Sequence, residues 1–320
     1  MPHRIPSVSQ RRLGFAFALA LTLFIANLIV LPSFVSGSQI AGTVGTLAPF
    51  ALAAMASTPA FLSGGGGIDL SITPLMALSN IVLVTGLLGT TLGTPIIAIP
   101  LLLAMGAVVG AVNGMMIAWL RFPPVIATLG MFFMLSGLDL GLVPDPVSAH
   151  ASWVDHLAGS VGPVPGAVLT IGVPLLLWAL LRRTPLVDSI LSVGDSAPAA
   201  FSAGGNVDAV RVLAYLIGGV LAAAGGIALA GLVQSADAQT YTGYTVAALA
   251  AVALGGTNLA GGAGGLTPSL IGAASIYLLD NLLAALHVSS NYVQVAYGGA
   301  LLVAVVFGSL LLNRSRGPAR

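Results

Sequence analysis

Three aspartates fall inside long apolar runs: Asp69, Asp139 and Asp280. A carboxyl group in a membrane costs at least a few kcal/mol, about 2.5 or more on insertion scales, so each is a candidate for chemistry. Asp69 follows a run of four glycines and precedes Leu70, Ser71 and Ile72, whose N–H groups it could cap. A capping role competes there with a functional one. Asp280 lies beside Asn281, where a helix–helix hydrogen bond is the common use of such a group. His150, Asp155 and His156 share one loop, but their spacing does not fit a zinc site, and no metal is expected. No G-x-S-x-G elbow and no Ser-His-Asp set is suggested by spacing, so hydrolase chemistry has no support.

The composition narrows the chemistry further. All ten basic residues are Arg and all nine acidic residues are Asp. Without Lys there is no G-x-x-x-x-G-K-[ST] phosphate loop and no Schiff base. The chain therefore is expected to bind no cofactor by these routes, and no cluster of catalytic polar residues marks it as an enzyme. Without Cys there is no disulfide or thiolate ligand. A net charge of +1 gives no sign of nucleic acid as a partner.

The elements that must carry these residues follow from hydropathy. Of the 320 residues, 57% are hydrophobic and 6% charged, against about 25% charged in a soluble domain. The solvent of most of the chain is lipid. About 20 apolar residues cross a bilayer as a helix. Ten such runs are read: 14–32, 46–62, 68–89, 95–119, 123–143, 161–181, 211–233, 245–262, 266–287 and 292–312. The expected fold is an all-α polytopic membrane helix bundle of about ten helices, a single transmembrane domain over 1–320. With ten spans and the N-terminus inside, all Arg fall on the cytoplasmic side, as the positive-inside rule requires. They are Arg4, Arg11, Arg12, Arg121, Arg182, Arg183, Arg211, Arg314, Arg316 and Arg320. Both termini are then cytoplasmic.

Two features interrupt the runs. Residues 255–265 are Gly-rich, which reads as a break lining a solute path or as close helix packing. Residues 182–210 form the longest polar stretch and are long enough for a short surface helix. Ser196 is placed to cap such a helix over 197–203, with Gly204 and Gly205 ending it. The outer loop 144–160 is read as an interfacial patch or a partner contact.

Three stretches carry a resemblance to the ribose-type permease subunits of bacterial ATP-binding-cassette importers. Gly66-Gly67-Ile68-Asp69-Leu70-Ser71 resembles the family's GGIDLS signature. Val112-Asn113-Gly114 through WLRFPPVIATLGM at 119–131 resembles its NG…PPFIATLG pattern. Leu254-Gly255-Gly256-Thr257-Asn258-Leu259-Ala260-Gly261-Gly262 resembles LGGTSLAGG. Related amino-acid permeases usually differ at the first of these.

The resemblance implies a pore subunit of the bacterial inner membrane that moves a monosaccharide inward. It implies two cytoplasmic ATPase subunits that use ATP and Mg, a periplasmic sugar-binding protein, and a second permease subunit. It also implies that loop 182–210 carries a coupling helix seated on the ATPase. Val193, Gly194, Ala199, Ala200, Gly204, Asn206 and Val207 fit the family's pattern there. Ser196 replaces an expected Asn, Ala197 and Pro198 an acidic position, and Phe201 an Arg. The expected contact runs over Gly194, Asp195, Ser196, Pro198, Ala199, Ala200, Phe201 and Gly204, with Phe201 as an apolar anchor. Ala263 stands where a basic residue is common. Gly66, Gly67, Asp69, Ser71, Asn113, Gly255, Gly256, Thr257, Asn258 and Asp280 are expected along the path or at hinges, with Asn80 as a further polar contact. An ion-coupled secondary transporter of a small polar solute is the alternative. It would draw on Asp280, which has no obvious second deep carboxylate.

Overall fold

The computed structural model describes residues 8–36, 39–162, 164–239 and 243–315. Arg4, Arg316 and Arg320 lie outside them. Thirteen α-helices are described: α1 (Val8–Val30), α2 (Ile40–Leu62), α3 (Ile72–Ile81), α4 (Pro95–Ala118), α5 (Pro124–Leu142), α6 (Ser152–Ala158), α7 (Gly166–Leu181), α8 (Pro185–Asp195), α9 (Ala197–Ser202), α10 (Val207–Val233), α11 (Tyr244–Leu254), α12 (Leu266–Ala285) and α13 (Ser290–Ser315). Two short antiparallel pairs, β1 (Val147–Ser148) with β4 (Ser235–Ala236) and β2 (Ser160–Val161) with β3 (Val164–Pro165), tie loops together. The protein is a polytopic membrane helix bundle. Six helices, α1, α2, α4, α5, α10 and α12, are long and apolar enough to cross a membrane.

Each apolar run contains a helix, but several boundaries move. Helix α2 begins at Ile40 rather than near 46. Gly42, Thr43, Gly45 and Thr46 look polar or flexible in isolation, yet this turn packs on its neighbours, and a Cβ on Gly45 would meet Ala158 O at 2.7 Å. The run 245–262 is helical only to Leu254, because Gly255 begins the loop. The run 68–89 becomes helical only at Ile72 and continues past Ile81 as one π-helical stretch, Val82–Leu87.

Helix α2 is the axis of the bundle. From Ala51 to Leu62 every residue is buried, including Pro59. Membrane helices associate without a hydrophobic drive between them, so small residues and close backbones supply the contact. Helices α4 and α10 meet this way. Gly106, Gly110 and Gly114 recur every four residues on α4 and face Gly219, Tyr215 and Val212 of α10 at backbone distance. Outward-facing Ile96, Phe133, Leu176 and Leu302 are exposed, as lipid-facing side chains must be.

The loops sort into two ends. At one end Gly64 abuts Gly194, Gly262 abuts Asp195, Gly65 faces Arg211, and Arg121 pairs with Asp208. At the other, Trp153 donates to Gly93 O at 3.0 Å, Gln234 donates to Asp155 at 3.3 Å, and β1 pairs with β4. Loop 144–160 is drawn into this second end. Its helix α6 buries Val154 and packs on α10, because Gly231 leaves room for Val154 and Leu157.

Candidate coupling surface and translocation path

Residues 182–206 hold two helices where one was expected. Helix α7 ends at Leu181, and after a three-residue break α8 leaves at 83° to it. Thr184 caps α8, accepting from Leu186 N, and Pro185 occupies its first turn. Val187, Ile190 and Val193 form the buried face of α8, three residues apart. The expected helix is the second of the two, α9. The Ser196 hydroxyl accepts from Ala199 N at 3.3 Å, and Gly204 follows with a φ of +86°. Ala197, Ala200 and Ser196 are half-buried, Pro198 and Ala199 are exposed, and Phe201 is 73% exposed. An aromatic side chain is thus displayed on a short helix at the same end as the Arg121–Asp208 pair.

What anchors α9 is the end of α8. A Cβ on Gly194 would collide with the Leu62 carbonyl and the Gly262 amide. A Cβ on Gly64 would lie 2.7 Å from Gly194 O, and one on Gly261 would lie 2.6 Å from Gly64 Cα. Gly262 N donates to Leu62 O at 3.2 Å. Three stretches far apart in sequence thus meet backbone to backbone: the end of α2, the end of α8, and the 255–265 loop. Of the two readings of these glycines, close packing describes Gly64, Gly194, Gly261 and Gly262. Gly66 is exposed with open space around its Cβ position. Gly67 is buried against Ala60 O, and Gly255 against Pro268 O. Gly256 is half-buried with a φ of +87°.

Next to this junction lies a buried polar cluster. Asp69, 5% exposed, accepts from Ser71 N at 2.9 Å and from Ser71 Oγ at 2.7 Å. Asn113, fully buried on α4, donates to Ser71 Oγ at 2.7 Å, and its Oδ1 has no partner among the described residues. Asp69 therefore turns the chain into α3, as the capping reading expects. Asp69→Ala is expected to cost about 1–3 kcal/mol, because the Ser71 N–H loses its acceptor inside the protein. Asp69→Asn keeps an acceptor and should cost less. Thermal unfolding of the two purified variants checks this; equal unfolding temperatures with lost transport would instead mark a path residue.

The other candidates separate. Thr257 lies 3.4 Å from Ser269 Oγ, which also receives the Thr58 hydroxyl at 2.7 Å, so it belongs to a hydroxyl chain between α2 and α12. Asn258 is spent on its own turn, donating to Gly261 O at 2.7 Å and accepting from Ala260 N. Asn80 on α3 donates to Ser235 O at the opposite end. Asp280 accepts from the Tyr297 hydroxyl, and Asn281 donates to Asn27, which bonds Leu278 O. These are helix–helix links, as its position beside Asn281 suggests. Asp139 is fully buried on α5 with neither carboxyl oxygen partnered among the described residues.

One contact had no sequence signal. Arg121, with a φ of 60°, forms a two-pronged pair with Asp208 at 2.6 and 2.9 Å. It joins the α4–α5 turn to the start of α10, just beyond α9. The pair holds a left-handed non-glycine residue that sterics disfavour. The Arg121 side chain is 64% exposed, so the pair positions the turn more than it stabilises the fold.

The chain resembles known permeases over most of its length. It is 35% identical over 303 residues to the ribose import permease protein of Bacillus subtilis strain 168, covering 93% of this chain and 92% of that one. It is 35% identical over 247 residues to the ribose import permease protein of Escherichia coli K12, covering 75% and 76%. It is 29% identical over 270 residues to the autoinducer 2 import system permease protein of Escherichia coli K12 / DH10B, covering 81% and 76%. No solved structure matches. Residues 39–309, which include every contact described above at α9, the glycine junction and the Asp69 cluster, match the family described as branched-chain amino acid transport system / permease component, and the chain belongs to it.

Proposed function

We propose that this chain is the pore-forming permease subunit of an ATP-binding-cassette importer that moves a monosaccharide into the cytoplasm. The observation that carries the reading is the glycine junction. It welds the base of α9 to the end of α2 and to the loop before α12, and Phe201 projects from α9 beyond it. A push on α9 therefore has rigid backbone to act on within a few residues of Asp69. The ribose specificity of two relatives and the GGIDLS stretch favour a sugar over an amino acid.

In this reading there are ten spans. Six are the long helices. The remainder are α7 and the shorter apolar helices at Ile72–Leu87, Tyr244–Leu254 and Tyr292–Ala304. The end that holds α8, α9, Arg121, Arg182, Arg183 and Arg211 faces the cytoplasm, with both termini, as the positive-inside rule favours. The membrane is the bacterial inner membrane. A second permease subunit completes the path, and a periplasmic sugar-binding protein delivers the solute. ATP and Mg act on the separate ATPase subunits, since this chain has no Lys for a phosphate loop. Closure of the ATPase pair moves α9, and the helices repack between two states that each partner binds unequally.

The test is purification in lipid with the neighbouring ATPase and binding protein. The expected result is an ATPase that comes with this chain and hydrolyses faster when one sugar-loaded binding protein is added. Solute uptake by the chain alone, driven by an ion gradient, would replace this reading with the secondary transporter.

A further inference from the structure

We propose that the groove between α4, α7 and α10 holds an acyl chain of an anionic phospholipid, whose headgroup is bound by Arg182 and Arg183 at the end of α7. The walls include Leu169, Val173 and Leu177 of α7, Ile217 and Leu221 of α10 and Ile99 of α4, around a volume of about 360 Å³. That is more than twice the roughly 150 Å³ of an apolar cavity that stays dry and takes up benzene.

Three observations identify the occupant. The first is the chemistry of the walls. Thr170 is the one hydroxyl among the lining residues, and it donates to Ala167 O at 3.0 Å. The Trp178 indole N–H is closed off inside the protein. Water has nothing to bond in such a space. Left empty, it would deprive its walls of dispersion contacts that a hydrocarbon tail supplies. The second observation is the opening. Leu169, Val173 and Leu177 line the groove and are also exposed, so it opens sideways from the bundle through apolar side chains. The stretch Leu169–Leu181 is about 18 Å long at about 1.5 Å per residue, close to the roughly 15 Å depth of one bilayer leaflet.

The third observation is the charge at one end. Thr170, Pro174 and Trp178 line the groove at a spacing of four, and Arg182 stands next on that row. Arg182 N still donates to Trp178 O at 2.9 Å, so the row continues in helical geometry to the arginine. Arg182 and Arg183 are exposed and form no ion pair among the described residues. Asp188 shares a cleft with Arg183 but is not paired with it. Two guanidinium forks at the end of an apolar groove match a phosphate joined to a tail. The position has a consequence. Leu266, at the start of α12, lines the groove beside Trp178, which lies against Gly265. A bound lipid therefore braces the corner between α7 and α8 against the 255–265 loop. The proposal rests on α7 being a membrane span and not on the importer reading, because binding is measured on the purified chain alone.

The experiment is fluorescence quenching in lipid discs. Trp119→Phe and Trp153→Phe leave Trp178, which lines the groove, as the one tryptophan of the chain. Phosphatidylglycerol or phosphatidylcholine with brominated tails is titrated into unbrominated phosphatidylcholine. The expected result is saturable quenching by both, with phosphatidylglycerol preferred about thirtyfold, about fivefold for each arginine near the surface. Arg182→Gln should lower that preference about fivefold, and the double variant with Arg183→Gln should abolish it. Ala224→Phe, which fills the groove from α10, should remove the quenching by either lipid. Native mass spectrometry of the chain with all three tryptophans repeats the arginine comparison, so the headgroup criterion stands even where a tryptophan or groove variant fails to fold. The proposal is overturned if neither lipid quenches Trp178, including the case where the groove is closed by a second copy and the chain runs as a dimer. It is equally overturned if the two lipids bind alike, or if the double arginine variant keeps the wild-type preference.

Discussion

Phe201→Asp is expected to lower ATP-driven uptake and ATPase co-purification about 30-fold, the effect of losing roughly 2 kcal/mol at a contact centre. Its unfolding temperature should stay close to the wild type, because substitutions at exposed positions away from packed features usually fall within about 0.5 kcal/mol. Phe201 is 73% exposed, so its side chain adds little to what holds α9 in place. The helix is held instead by the Ser196 cap and by the half-buried Ala197 and Ala200. Phe201→Leu keeps an apolar side chain and should retain most activity. The pair of variants separates docking from folding. Normal uptake and normal ATPase association in Phe201→Asp would remove α9 as the coupling helix.

The second large effect is expected at Gly194. A single methyl group there overlaps the Leu62 carbonyl oxygen and the Gly262 amide nitrogen. Both are backbone atoms, so no rotamer change relieves the clash, and the junction must open. Overpacking of this kind costs up to about 3 kcal/mol, a fall of roughly 6 °C in unfolding temperature for a chain of this size. Gly194→Ala should therefore lose stability and transport together. Gly172→Ala, on α7 with open space around its Cβ position, should be neutral or slightly stabilising. If Gly194→Ala unfolds like the wild type, the three backbones do not form a rigid seat for α9.

The two variants probe different links of the same chain of cause. Phe201 tests what α9 touches outside the protein. Gly194 tests what α9 is attached to inside it. An importer in which Gly194→Ala hydrolyses ATP without moving sugar would separate the two steps.

The features that residue order alone settles are local. A run of about 20 apolar residues has one stable answer in lipid, because every backbone group must be bonded within the segment. Hence each of the ten runs holds a helix. Ser196 and Gly204 bracket α9 because caps act within one turn. Asp69 turns the chain into α3 because its acceptors and the Ser71 donors are two residues apart. Helix α8 was legible in principle from Val187, Ile190 and Val193, but one buried face of three residues among Asp and Ser reads as loop until something covers it.

Contacts between residues distant in sequence come only with the packed fold. Arg121 and Asp208 are 87 residues apart, and Asn27 and Asn281 are 254 apart. Neither pair leaves a periodic trace, since any Arg has several Asp to choose from. Gly64, Gly194 and Gly261 each signal only that a backbone needs space. Which backbone fills that space is set by how α2, α8 and the 255–265 loop pack, and close packing of small residues is a property of surfaces in contact, not of any one segment.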